Sequence, residues 1–113
     1  MYKSYDELYN NFGKGIYFKA VNENEQIIGI LCASFFSKNH LKISHLFITE
    51  YFRNEGIASK LLSELEYLCP CNYYEVYINS NNDIAISFFI HNNYIQYNST
   101  QNYISLKKEK NSK

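Results

Sequence analysis

The chain has 113 residues, which is enough for one hydrophobic core, because two cores would leave each half near the size that needs disulfides or a metal to fold. Hydrophobic residues make up 46% of the chain, and eleven basic residues balance eleven acidic ones. The composition therefore predicts one globular domain over residues 1–113. It excludes a global positive field that would attract nucleic acid or an anionic membrane, and the 12 tyrosines lack the basic stripe of a nucleic-acid surface.

The first 37 residues predict a short helix followed by a hairpin. Ser4 is followed three residues later by Glu7, a capping-box spacing that predicts a helix over residues 4–10, so residues 1–15 are interpreted as a short helix and a loop. Residues 16–21 alternate and are rich in β-formers, and a polar turn separates them from a long apolar run, Ile27–Ser37. These two segments predict a β-hairpin.

The middle of the chain predicts a buried strand followed by an amphipathic helix. The segment His40–Ile48 alternates, and towards its end both faces are apolar, which predicts burial on both sides in the middle of a sheet. Leucines then recur at helical intervals between Gly56 and Pro70, which predicts a helix over that stretch.

The last third predicts a second α/β unit. Residues 73–78 read as a strand, and an Asn-rich turn precedes a second helix, Asp83–His91. Strands are predicted within residues 92–97 and at residues 103–107, and a charged, solvated tail at residues 108–113. This element order indicates a mixed α/β domain.

The three cysteines and the apolar runs bear on location and on metals. Cys69-Pro70-Cys71 can be a redox or metal pair or a helix stop with two incidental thiols; two ligands are too few for a structural zinc site, so we favour the helix stop and predict no metal. Neither a signal peptide nor an apolar run of membrane-spanning length is evident, so the sequence predicts a soluble, cytoplasmic protein with no membrane partner.

The strand, short loop, glycine and helix around Gly56 predict an anion seat. The first amides of a helix have no partner within the helix and lie at the positive end of its dipole. Small residues at Gly56 and Ala58 would let a diphosphate approach the main chain, and Ser59 would add a hydroxyl. A glycine that only caps the helix is the alternative. Walker and dinucleotide loops are excluded because both need further glycines at fixed spacing.

Two segments carry a resemblance to a known family. The stretch "LFITEYFRNEGIASKLL" resembles the acetyl-CoA motif of the GNAT N-acetyltransferase superfamily, and "NDIAISFFIHNNYI" is similar to a downstream helix of that superfamily. The positions that match the first motif are Leu46, Ile48, Arg53, Gly56, Ala58, Leu61 and Leu62. In the second, Asn82 and Ala85 match, Phe89 stands at a tyrosine place, Asn93 at a glycine place and Tyr94 at a phenylalanine place.

The resemblance implies the fold, the cofactor and its contacts. The implied fold is a mixed, mostly antiparallel twisted sheet with flanking helices and a central parallel strand pair, residues 40–48 and 73–78, that splays apart. Acetyl-CoA would be the acyl donor, with its pantetheine arm in the resulting cleft. The residues implied to contact it are Leu46, Phe47 and Ile48 along the arm; Arg53, Asn54, Glu55, Gly56, Ile57, Ala58 and Ser59 at the pyrophosphate; and Asn82 and Phe89 from the second helix.

The implied chemistry needs a base, an oxyanion donor and an acid. A neutral amine attacks the thioester, so a base or a water chain takes a proton, and a main-chain N–H near Phe47 or Ile48 stabilises the oxyanion. Ser44 lies near the family's glutamate base, with His45 beside it. Phe89 has no proton to give at the place where many relatives have a tyrosine acid. Positioning alone, substitution by Tyr94 or His91, or cofactor binding without acetyl transfer remain as three accounts.

The short N-terminus bears on the acceptor. Family members usually begin with a strand and one or two helices that cover the acceptor side, whereas only about fifteen residues precede the first clear strand here. An open site, or one completed by a second subunit in a homodimer, follows, and the acceptor would be a small amine or a protein lysine or N-terminus. An N-acetyltransferase is the leading hypothesis; a catalytically silent CoA-binding or regulatory module and a purely structural α/β domain are the alternatives.

Overall fold

The computed structural model describes residues 2–10, 13–48 and 56–110, with the side chains of residues 15–48 and 56–110. Nine elements follow one another in these residues. They are β1 (Tyr2–Asn10), β2 (Gly13–Val21), β3 (Ile27–Ser37), β4 (His40–Ile48), α1 (Ile57–Leu68), β5 (Tyr73–Asn79), α2 (Asp83–His91), β6 (Ile95–Ser99) and β7 (Tyr103–Glu109).

The seven strands form one sheet in the order β1-β2-β3-β4-β5-β7-β6. Every neighbouring pair is antiparallel except β4 and β5, which run parallel because α1 carries the chain from the end of one strand to the start of the other. The mixed sheet with a central parallel pair confirms the predicted fold class. The predicted hairpin is also confirmed, because β2 and β3 pair in register along most of their length.

Both helices cover the same face of the sheet. Leu61 and Leu65 of α1 and Phe89 of α2 belong to one buried cluster that also contains Leu31 and Leu106 from the sheet. Along β5, the residues Tyr74, Val76 and Ile78 are buried in this cluster, so by strand alternation the intervening residues Tyr73, Glu75 and Tyr77 point to the opposite face. No helix in the described residues packs on that opposite face, which we call the helix-free face.

The predicted N-terminal helix over residues 4–10 is wrong. This segment lies in strand β1, which pairs antiparallel with β2 from Tyr2↔Val21 to Asn10↔Gly13. Pairing with β2 satisfies the backbone groups of nine residues, and this outweighs one local capping-box spacing. Only residues 11 and 12 separate the two strands, so the chain places no helix between them.

The predicted tail over residues 108–113 is wrong at its start. Strand β7 continues to Glu109, and the ammonium of Lys108 lies 3.0 Å from a carboxylate oxygen of Glu66 on α1, a residue whose side chain is 9% exposed. Lys110 also reaches Glu66, at 3.2 Å. These ion pairs fasten the last strand to α1, and residues 111–113 lie outside the described residues.

Membrane and metal features are reported for the same residues. Within the described ranges, neither helix has the length and apolar character needed to cross a membrane. Nor do three or more His, Cys, Asp or Glu side chains there gather as metal ligands would. Cys69 and Cys71 are buried and form no disulfide within the described residues, and burial raises the pKa of Cys71. Their surroundings are those of incidental core thiols.

Candidate functional site: the gap between two parallel strands

The parallel strands β4 and β5 separate halfway along their length. Their pairing runs from His40↔Tyr73 to Ile43↔Val76, although β4 continues to Ile48 and β5 to Asn79. At the same point the register of β4 against β3 shifts, because Ile43 pairs with Ala33 whereas His45 pairs with Cys32. Ser44 is therefore the extra residue of a β-bulge, and a bulge bends its strand. The predicted splay is confirmed, and the bulge is its structural cause.

The part of β4 beyond Ser44 borders the resulting gap. Strand β3 pairs with only one edge of this stretch and the β4–β5 pairing ends at Ile43, so backbone N–H and C=O groups on the other edge of residues 44–47 face the gap. Leu46 and Ile48 are half-buried, and Phe47 is 55% exposed. The predicted burial of this end on both sides is therefore wrong, because Phe47 lies on the face of the sheet that no described helix covers.

The N-terminus of α1 has the conformation that its glycine predicted. Gly56 lies in the left-handed region, with φ 76° and ψ 9°, and no side chain caps the helix. No described atom lies within 4 Å of the position that a Cβ on Gly56 would take. Ile57 is buried and anchors the first turn, whereas Ala58 and Ser59 are half-buried behind it. Among the described residues no side chain caps the first-turn amides, and such amides bind anions.

Three predicted contacts to the pyrophosphate cannot be placed. Arg53, Asn54 and Glu55 lie outside the described residues, so the loop between Ile48 and Gly56 has no structural account.

A shallow surface depression of about 360 Å³ begins beside this N-terminus. It is lined by Ser59, Lys60, Ser63 and Glu64, two adjacent pairs that lie one helical turn apart on the solvent face of α1. The depression is separate from the gap between β4 and β5. Its lining residues carry two hydroxyls, an ammonium and the carboxylate of Glu64, next to the candidate anion seat.

The second helix begins at the same edge of the sheet. Asn82 follows the end of β5 by three residues and caps α2, since its side-chain oxygen accepts a hydrogen bond of 3.2 Å from the amide of Ala85. Because β4 and β5 are parallel, their carboxyl ends and the starts of α1 and α2 lie at one edge, where open α/β sheets bind ligands. Gly56 and Asn82 therefore flank the mouth of the gap.

Phe89 is a residue of the hydrophobic core. It is only 2% exposed, and its ring lies edge-on to Tyr94, with centroids 5.1 Å apart. As a core residue it packs α2 against the sheet.

The structure divides the four candidate catalytic residues into two groups. Ser44 and His45 lie on β4 where the gap opens, and both are exposed. The hydroxyl of Ser44 donates to the carbonyl of Cys32 at 3.2 Å, and Nδ1 of His45 lies 3.3 Å from the same hydroxyl. An N–H at Nδ1 would donate to Ser44 and leave Nε2 as the basic nitrogen.

Tyr94 and His91 form the other group, away from the opening. The hydroxyl of Tyr94 donates to Glu66 at 3.2 Å, and Glu66 lies ten residues along α1 from Gly56, about 15 Å along the helix axis. Burial and the Glu66 carboxylate raise the pKa of Tyr94. His91 is exposed at the last position of α2, the end remote from Asn82.

Two groups on the helix-free face were missed by sequence reasoning. Glu75 is buried there, and its two oxygens are engaged by Nε2 of His40 at 2.7 Å and by the hydroxyl of Tyr97 at 2.5 Å. Lys42 lies with its ammonium 4.1 Å from the centroid of the Tyr77 ring. Strand alternation could have placed Glu75 and Tyr77 on one face, but the partners come from other strands and have no local signal.

Comparison with known proteins identifies what the chain is similar to. A family model described as the acetyltransferase (GNAT) family matches residues 1–92. A search of the curated proteins found no match.

Many solved structures share the fold. PaiA N-acetyltransferase from Thermoplasma acidophilum in complex with coenzyme A has a TM-score of 0.80 at 16% identity, over 85% of this chain and 61% of that one. A GNAT-family acetyltransferase from Staphylococcus aureus has 0.76 at 16% identity, over 84% and 67%. A GNAT-family acetyltransferase from Elizabethkingia anophelis with acetyl-CoA bound has 0.73 at 14% identity, over 84% and 76%. The chain thus spans about three fifths of the first of these proteins.

Proposed function

Since this chain belongs to the GNAT acetyltransferase family, we propose that it is an acetyl-CoA-dependent N-acetyltransferase that acts on a primary amine of a small molecule or a protein. The observation that carries the proposal is that two features suited to the cofactor lie close together. The gap between β4 and β5, and the first amides of α1 beyond Gly56, lie at the same edge of one sheet. An extended thioester with a diphosphate at its far end needs both features together.

The residues present fit coenzyme A. Backbone groups of Leu46 and Phe47 would pair with the amides of the pantetheine arm, because the β4–β5 pairing ends at Ile43↔Val76. The amides of Ile57, Ala58 and Ser59 would hold the pyrophosphate at the positive end of the α1 dipole. When bound, acetyl-CoA supplies an activated acetyl group. Similar proteins solved with coenzyme A or acetyl-CoA support this assignment.

The chain's own contribution to the chemistry is positioning and proton removal. His45 is our candidate base, acting directly or through a water that Ser44 helps to hold, because only these two candidates lie where the gap opens. A main-chain N–H near Phe47 or Ile48 would donate to the carbonyl oxygen of the acetyl group. No acid is assigned, since a thiolate leaves readily once the reactants are aligned.

The second candidate function is a CoA-binding module without acetyl transfer. It is favoured by one observation: Phe89 has no hydroxyl, and the hydroxyl of the neighbouring Tyr94 is held by Glu66 inside the protein. Both functions require the same cofactor seat. They differ only in turnover.

Two measurements on the purified chain test the proposal. Calorimetric titration with CoA is expected to show one site per chain, and acetyl-CoA with a panel of primary amines is expected to release the CoA thiol in step with amine acetylation. Binding without thiol release on any amine would favour the silent module. A chain that neither binds CoA nor gains thermal stability from it would contradict both functions.

A further inference from the structure

The side chain of Lys42 extends along the strands towards the gap and does not lie beside its partner residue in register. It pairs in register with Glu75, one position before the β4–β5 pairing ends at Ile43↔Val76. Its ammonium nevertheless lies over the ring of Tyr77, which follows Glu75 by two residues on β5. Two residues of a strand span about 7 Å, so Tyr77 lies that much nearer the end where the two strands separate. The ring of Tyr77 is 48% exposed. The ammonium therefore stands at the inner end of the gap, on the helix-free face.

This ammonium has no carboxylate partner among the described residues. Glu75 is the carboxylate opposite Lys42 in register, but its two oxygens are taken by His40 and Tyr97. Three other lysines do have partners: Lys107 lies 3.3 Å from Glu109, and Lys108 and Lys110 both contact Glu66. Lys42 is instead held by the face of an aromatic ring, which leaves its N–H donors available to a ligand.

Under the proposed function, the acceptor approaches the gap from the helix-free face. The helices and the candidate pyrophosphate seat occupy the other face, and no described helix covers the side on which Lys42, Tyr77 and His45 lie. An amine that approaches the thioester from the uncovered side passes Lys42.

We propose that Lys42 binds an anionic group of the acceptor, so that the acceptor is an amine that also carries a carboxylate. This inference rests on the proposed function, because it identifies the acceptor of that same site. Tyr77 positions the ammonium, and the acceptor carboxylate takes up the N–H donors that no protein carboxylate uses. Lys42 acts here as a specificity residue and takes no part in proton transfer.

The test compares acceptors that differ only in the carboxylate. The first pair, glycine and glycinamide, represents a free amino acid acceptor. The second pair is a short peptide with Asp after its N-terminal residue and the same peptide with Asn in that place. It represents an acidic protein segment. The readout is the kcat/KM ratio within each pair, measured by CoA-thiol release. Amine basicity affects wild type and variant alike, so it cancels when their ratios are compared.

We expect Lys42→Met to reduce the preference for the carboxylated member of at least one pair by about 10- to 100-fold, mainly through KM, as loss of a hydrogen bond to a charged group would. Lys42→Arg should retain most of the preference. Lys38→Met is the matched control. Lys38 is exposed in the turn before β4, at the end of that strand remote from the gap. CoA affinity should stay unchanged in all three variants.

The inference is overturned if Lys42→Met leaves both ratios unchanged while CoA binding and thiol release are normal. Loss of CoA binding by the wild-type chain would instead contradict the proposed function. If CoA binds but no amine is turned over, the same pairs are compared by thermal shift of the CoA complex. Equal stabilisation by the charged and neutral members would then overturn the inference.

Discussion

Tyr94 and Phe89 show how packing in the core limits which side chains can act as an acid at the gap. By the family resemblance, Tyr94 was a candidate to replace the acid that Phe89 cannot provide. Its hydroxyl instead satisfies Glu66, whose second oxygen receives Lys108 and Lys110. A buried carboxylate needs such partners, because an unpaired one costs several kcal/mol. Tyr94 therefore has a structural use that fully accounts for its position.

The substitution Tyr94→Phe tests that interpretation. We expect the free energy of unfolding to fall by about 1–2 kcal/mol, because one hydrogen bond to a charged group is lost while both lysines remain on Glu66. We expect the kcat of thiol release to stay within about twofold of wild type, since no transition-state contact is removed. Denaturant unfolding and steady-state kinetics measure the two quantities. A large drop in kcat with unchanged stability would restore Tyr94 as the acid.

At the scale of elements, the start of α1 was predictable and the end of β4 was not. Small residues and helical leucine spacing mark the start of α1 locally, so Gly56 could be identified from sequence. Whether the end of β4 has a neighbour depends on the bulge at Ser44 and on the register with β5, and both are set by distant residues. The apolar pattern of residues 46–48 is typical of a buried strand, whereas these residues border a gap.

Gly56 allows the anion seat to be tested with a matched pair of variants. Asn and Asp tolerate the left-handed backbone better than other side chains, so Gly56→Asn and Gly56→Asp should destabilise the protein similarly, by about 1 kcal/mol. Only Asp adds a negative charge where the pyrophosphate would bind. We expect Gly56→Asp to weaken CoA binding at least about tenfold more than Gly56→Asn, measured by calorimetry. Equal affinities would show that no anion is held there.

The whole molecule is a sheet with helices on one face, and this asymmetry was only partly predictable. The hairpin and both helices follow from periodicity and turn residues, and the parallel pair follows from the family resemblance. The first strand could not be predicted, because residues 4–10 carry a helical capping signal and become a strand only by pairing with β2. That the acceptor side is uncovered stays a prediction, although only two residues link the described strands β1 and β2.

Buried tyrosines make the stability of the whole fold sensitive to alkali. Tyr74 is fully buried, its hydroxyl accepts from the amide of Cys71 and donates to the carbonyl of Cys69, and burial raises its pKa to about 12. The unfolded chain releases this proton near pH 10, before the folded chain does. The stabilisation that the protonated Tyr74 hydroxyl contributes is therefore complete below about pH 10 and is lost as the pH rises towards 12.

We expect the free energy of unfolding to fall by about 1.4 kcal/mol per pH unit for each buried tyrosine above pH 10. Tyr94 contributes in the same direction, because its pKa is also raised. Urea unfolding at a series of pH values measures how steeply the free energy of unfolding falls with pH. The variant Tyr94→Phe lacks one of the two titrating hydroxyls, so its free energy of unfolding should fall less steeply. A stability that does not change between pH 10 and 12 would contradict the burial of both hydroxyls.

The most direct measurement is a titration of isotope-labelled protein with CoA, followed by the backbone amide resonances in NMR. Our account predicts saturable shifts concentrated at residues 46–48 on β4 and 57–59 at the start of α1. Residues 103–109 of β7 should stay nearly unchanged. Saturating CoA that leaves both predicted segments unshifted would contradict the account.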